Sequence, residues 1–90
     1  MTVDRHAHHV LWHCPLLASS EYASLGPHGT GYRLAGTVVL PIGAAPGRID
    51  YEVVVDDAWL PRVAAVSIVT PDWQQRIDLR SYGDGVWELG

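Results

Sequence analysis

The sequence predicts an all-β, mainly antiparallel fold, a curved meander sheet. Three observations carry this. Apolar and polar residues alternate with a period of two over most of the chain. Strand-like runs recur at intervals of roughly ten residues, with Gly/Pro/Asp turn signals between them. Only residues 15–25, PLLASSEYASL, have any helical character, and that piece is too short to hold a helix by itself.

The elements follow in order. In the opening stretch RHAHHVLWHC, residues 5–14, a strand places His6, His8, Val10, Trp12 and Cys14 on one face, and Ala7, His9, Leu11 and His13 on the other. Glu21 to Leu25 reads as a short second strand. GPHGTG (26–31) separates it from GYRLAGTVVL (31–40), which aligns Tyr32, Leu34, Val38 and Leu40. Gly36 interrupts that face, the mark of a bend or a close backbone contact. PIGAAPG (41–47) is a hairpin loop. In RIDYEVVVD (48–56), Ile49, Tyr51, Val53 and Val55 oppose Arg48, Asp50, Glu52 and Asp56. DDAWLP turns the chain into RVAAVSIVT (62–70), apolar on both faces and so expected to be covered on both. Pro71-Asp72 breaks the next pair. In WQQRIDLR (73–80), Trp73, Ile77 and Leu79 oppose Gln74, Arg76, Asp78 and Arg80. Tyr82-Gly83-Asp84-Gly85 is a hairpin signal before the last strand, VWELG.

Ninety residues suit a single β domain, 1–90, that buries only about 60–65% of its unfolded surface. The net charge of −4, the absence of lysine and the scatter of six arginines argue against nucleic acid and against a polybasic membrane anchor. No apolar run approaches the ~18 residues of a membrane span. MTVDRHAHHV lacks the apolar core of a secretory signal, and one cysteine makes no internal disulfide. The expected compartment is the cytoplasm, and no cofactor is expected. Four Trp and four Tyr, beside no Phe, suit a wet pocket or interface as well as a small β core. Trp87 and Leu89 need a partner surface. A meander that stops in mid-strand leaves an open edge, to be covered by another copy or by the rest of a longer protein.

Four groups of residues bear on chemistry. His6 and His8 lie about 6.8 Å apart along one strand face, within reach of one ion. Their face adds only Cys14, about 20 Å from His8, so no metal site is assigned. Cys14 needs an imidazole within hydrogen-bond reach to act as a nucleophile. His13 points to the opposite face and His28 sits in a glycine-rich loop, so a small buried thiol is the better reading. Asp56-Asp57 suits turn formation better than acid–base work, and no catalytic residue is assigned. Trp59 and Arg62 stand at the mouth of a strand. Trp59 can stack on a sugar or an apolar group, and Arg62 can pair with an anionic headgroup; the residues by themselves favour the plainer role, in which the two plug and cap the end of the core.

An ordered series joins these elements: Val10-Leu11-Trp12, Glu21, Tyr32-Arg33-Leu34-Ala35-Gly36-Thr37-Val38, Tyr51-Glu52-Val53, Ala58-Trp59-x-x-Arg62-Val63, Ile77-Asp78-Leu79 and Gly83-Asp84-Gly85-Val86-Trp87. From about Val10 to Gly90 it resembles the N-terminal half of the bacterial putative glycolipid-binding family. The resemblance implies half of a spiral β-roll, a long antiparallel sheet around one helix, with a surface groove and a homodimer. It implies no catalytic residues. Trp59 and Arg62 match the family's Trp-x-x-Arg feature, with Leu60-Pro61 departing from its usual middle pair. Trp12 and Trp87 match aromatic positions. The family's later Gly-Cys-x-Asp and Leu-Pro-Ile-Arg-Arg-like segments are not in these 90 residues, so the domain is expected to be incomplete relative to the family.

The leading expectation is a non-enzymatic domain binding a glycolipid or other amphipathic ligand. Tyr32, Leu34, Val38, Tyr51, Val53 and Val55 would form an apolar concave face. The ligand-binding residues would be Trp12, Tyr32, Tyr51, Trp59, Arg62 and Trp87. The alternative is a structural fragment that dimerises or pairs through its open edges without a small-molecule ligand. A small hydrolase or metal enzyme ranks last, because no group has the required spacing.

Overall fold

The computed structural model of the protein describes residues 8–82 and 85–90. Seven strands follow one another in space as in sequence: β1 (His8–Cys14), β2 (Ser19–His28), β3 (Gly31–Ile42), β4 (Ala45–Val55), β5 (Pro61–Val69), β6 (Gln74–Ser81) and β7 (Trp87–Leu89). Every neighbouring pair is antiparallel, so the chain is an open, curved meander. Between β1 and β2, Pro15–Leu17 form a single 3-10 turn that ends with Ala18 in the left-handed region. The described residues contain no α-helix, so they do not supply the one that a spiral roll would enclose.

Alternation governs the strands, and the turns are tighter than the composition suggests. The Gly/Pro-rich segment 41–47 is largely strand: Pro41 pairs with Pro46 and Ile42 with Ala45, leaving a two-residue turn at Gly43-Ala44. Gly43 has φ 64°, a conformation that suits glycine. Gly26, Pro27 and His28 likewise extend β2, leaving Gly29-Thr30 as the turn, with Gly29 at φ 59°. The second strand therefore runs well beyond Glu21–Leu25. A turn at Thr70 links β5 to β6: its hydroxyl accepts from the backbone N–H of Trp73 and of Asp72. Trp73 lies in this turn, outside β6. The hairpin signal at 82–85 falls partly outside the described residues.

The register sorts side chains into two sets. One row across the sheet reads His8, Leu25, Leu34, Val53, Ala64, Leu79, Leu89. The next reads Val10, Ala23, Gly36, Tyr51, Val66, Ile77, and the third Trp12, Glu21, Val38, Ile49, Ile68, Gln75. These rows share one face, predominantly apolar. The opposite face carries Arg33 beside Glu52, Thr37 beside Asp50, and Arg76 and Asp78 on β6.

No second layer covers either face among the described residues. The radius of gyration is 15.1 Å, against about 12 Å for a compact chain of this length. Among the described residues, Ala65 is the sole buried hydrophobic one, and no side chain is fully buried. β5 is thus not sandwiched, contrary to its two-sided apolar pattern. Ala65 lies on the polar face between Glu52 and Asp78. A methyl group is small, and Ala65 has a paired strand on either side of it.

Candidate functional site

Gly36 on β3 stands opposite Tyr51 on β4. A Cβ at Gly36 would collide with the Tyr51 ring. The glycine is required because the tyrosine lies flat across β3 at that point. The ring thereby reaches a third strand, where the Tyr51 hydroxyl donates a hydrogen bond to Glu21 Oε2. Accepting that proton, and its own charge, let Glu21 push the Tyr51 phenol up to about 12, with partial burial adding to the effect. Trp12 on β1 is the direct cross-strand partner of Glu21.

Trp12, Glu21 and Tyr51 line a hollow of about 410 Å³ with His8, Val10, Ala23, Ser24, Leu25 and Leu34. Its volume falls within the range of small-molecule sites. It combines an apolar floor with one carboxylate and one hydroxyl. A larger hollow of about 710 Å³ at the β3–β4 hairpin is lined by Ala18, Val39 and residues 40–47 other than Ile42. It holds no ionisable side chain, and chemistry favours the smaller one.

A second cluster lies at the β4–β5 end. Asp56 organises the loop: Oδ1 accepts from the backbone N–H groups of Ala58 (2.9 Å) and Leu60 (3.0 Å), and Oδ2 accepts from Arg62 Nε at 2.9 Å. The Leu60 N–H, then Arg62 and the Ala58 N–H, hold its carboxyl below the ordinary value of 3.8. This cage keeps Trp59 at φ 65°, a left-handed backbone that a tryptophan rarely adopts. The indole stacks on Tyr32 with centroids 4.1 Å apart and planes at 12°. Trp59 remains 54% exposed, so the pair forms an aromatic platform open to a ligand. Tyr32 continues the apolar face, two residues beyond Leu34.

The structure thus brings Trp12 and Tyr51 together, and Tyr32, Trp59 and Arg62 together. The clusters are separated by about 13 Å along β3, measured from Tyr32 to Gly36. Trp87 lies on the same face but on β7, where it pairs with Ser81, remote from both. The Arg62 guanidinium is engaged by Asp56 through Nε and Nη2. Glu21 was not singled out as a ligand-binding residue from the sequence. Its signal was a carboxylate in the apolar phase of its strand, between Ser19 and Ala23.

The histidine-rich stretch divides as alternation requires. His6 lies outside the described residues. His9 accepts from the Tyr22 hydroxyl or donates to it, and His13 Nδ1 is 2.9 Å from Ser20 Oγ. Both contacts are on the polar face, away from His8. Cys14 pairs with Ser19, and His28 is nine residues further along β2, about 30 Å away. Asp56 is a loop organiser rather than one half of an acid–base pair with Asp57. Among the described residues, no three His, Cys, Asp or Glu side chains converge as metal ligands, and no helix is long and apolar enough to cross a membrane.

The family described as "Putative glycolipid-binding" matches residues 9–90, and the chain belongs to it. No match is found among curated proteins or among solved structures.

Proposed function

From this membership in a family named for glycolipid binding, we propose that the protein is a non-enzymatic binder of a glycolipid or similar amphipathic ligand, held on the apolar face of the sheet. The observation that carries this reading is the predominantly apolar face, uncovered from β1 to β7 among the described residues. A sheet face of this kind needs a covering layer. Acyl chains supply one: burying about 300 Å² of chain surface contributes about 7 kcal/mol before the costs of association. The polar headgroup sits at the Glu21–Tyr51 pair or on the Tyr32–Trp59 platform. Trp12 walls the hollow, Arg62 acts through Asp56 to hold the platform, and Trp87 extends the face at its far side.

Native mass spectrometry of untagged protein purified from cells tests the proposal. The expected result is an added mass that fragments as a lipid. A bare protein that also takes up no monoglucosyl diacylglycerol on addition would sink it. A bare dimer would favour a second reading, in which the sheet pairs through its open edges and takes no small ligand. That reading draws on β1 and β7, the two edge strands of the open sheet.

A further inference from the structure

Among the described residues, the apolar face carries one carboxylate. Among the described residues paired across the seven strands, Glu21 is the only Asp, Glu or Arg on that face. The arginines of the paired strands, Arg33, Arg48, Arg76 and Arg80, all lie on the other face. Arg62, at the bulge between β4 and β5, is tied to Asp56. A ligand lying in the hollow therefore meets the Glu21 carboxylate and the His8 imidazole, and no arginine, on the strands beneath it.

We propose that Glu21 makes this face selective for lipids with neutral, hydroxyl-rich headgroups and against lipids with anionic ones. The inference rests on the binding reading above and adds the ligand class. A carboxylate accepts hydrogen bonds and donates none, and it has about four lone-pair sites, more than the single Tyr51 hydroxyl uses. Sugar hydroxyls are donors that match the remainder, and hydrogen bonds to a charged acceptor are the stronger kind. A phosphate ester offers acceptors to an acceptor and adds like-charge repulsion. At about 6 Å and an intermediate dielectric, that repulsion corresponds to about a tenfold loss of affinity. Tyr51 fixes where the carboxylate stands, and the bare backbone of Gly36 makes room for the tyrosine.

The test compares two probes with identical dioctanoyl chains, monoglucosyl diacylglycerol and phosphatidylglycerol, titrated against tryptophan fluorescence. The wild-type protein is expected to bind the glucosyl lipid at least about tenfold tighter, and the preference should shrink as salt rises toward 1 M. Glu21→Gln keeps an acceptor for Tyr51 but removes the charge. It should narrow the preference to within about twofold, chiefly by improving phosphatidylglycerol binding. Tyr51→Phe keeps the charge, so it should weaken both lipids while preserving their order. Equal binding of the two probes by wild type, a salt-insensitive preference, or a Glu21→Gln protein that retains the full preference would each overturn the selectivity. Binding of neither probe by wild type would overturn the binding reading as well, so the two failures are distinct.

Discussion

On β4, Arg48, Asp50 and Glu52 project to one side of the sheet, and Ile49, Tyr51, Val53 and Val55 to the other. The polar side completes itself. Arg33 donates to Glu52 at 2.6 Å, Thr37 and Arg48 both donate to Asp50, and Arg76 donates to both oxygens of Asp78. The apolar side is tied by the Tyr51–Glu21 hydrogen bond and leaves Val10, Trp12, Leu34, Ile77, Trp87 and Leu89 exposed. Charged groups can satisfy one another within a single layer and remain hydrated. Apolar groups gain only when water is removed, which needs a second surface. The charged groups of the polar face are therefore satisfied within the layer, although Leu11 and Val39 stay exposed there, and the apolar face is the proposed seat of the ligand.

The sharpest way to break this contrast is a pair of substitutions one residue apart. Leu34→Asp puts a carboxylate on the apolar face beneath the proposed acyl chain, and should abolish lipid uptake, a loss of at least about 100-fold. Arg33→Ser, on the other face, should leave uptake within about twofold. Parallel losses in native mass spectra would show that the faces are not functionally distinct.

Next comes Gly36→Val. Its side chain would collide with the Tyr51 ring, at a cost of about 2–3 kcal/mol in urea unfolding. Displacing the ring should also return the Tyr51 phenol from about 12 toward its ordinary 10.0, which ultraviolet titration reads directly.

Tyr51→Phe should cost about 1–2 kcal/mol at pH 8, the value of a half-exposed hydrogen bond to a carboxylate. Its pH dependence has a fixed sign. The phenol's pKa is raised on folding, so its stabilisation is complete below pH 10.0 and is lost as the pH rises through about 12. Unfolding curves of wild type and variant should converge across that window.

At the β4–β5 loop the sign is reversed. The Asp56 pKa is lowered from 3.8, so its hold on the loop is complete above that pH and fades as the pH falls through the lowered value. The fluorescence of stacked Trp59 should change in that acid range. In Asp56→Asn it should be altered at neutral pH and flat on acidification. The smallest effect is expected on the polar face, where Arg33→Ser removes an exposed ion pair and should change stability by less than about 1 kcal/mol.

The facing of the strands was legible in advance, because Ile49, Tyr51, Val53 and Val55 need only a period of two to share a side. Turn lengths were less so. Pro41 and Pro46 look like loop residues, yet they face each other as the last rungs of a hairpin. The β5 pattern misled for another reason: apolar residues on both sides of a strand ordinarily mean two covering layers, whereas here no second layer lies over β5 among the described residues. In the site, Tyr51 and Gly36 each carried a local sign. Their relation to Glu21 did not, since 30 residues separate Glu21 from Tyr51.

What the sequence determined by itself is which residues share a face, because that depends on alternation within each strand. It also determined that the chain runs as a meander, because the Gly, Pro and Asp signals recur between strands. Only the tertiary structure decided which residues meet across strands: Tyr51 over Gly36 onto Glu21, and Trp59 folded back onto Tyr32. Those meetings depend on the register of successive hairpins, and a slip of one residue in any of them would send the side chain to the opposite face.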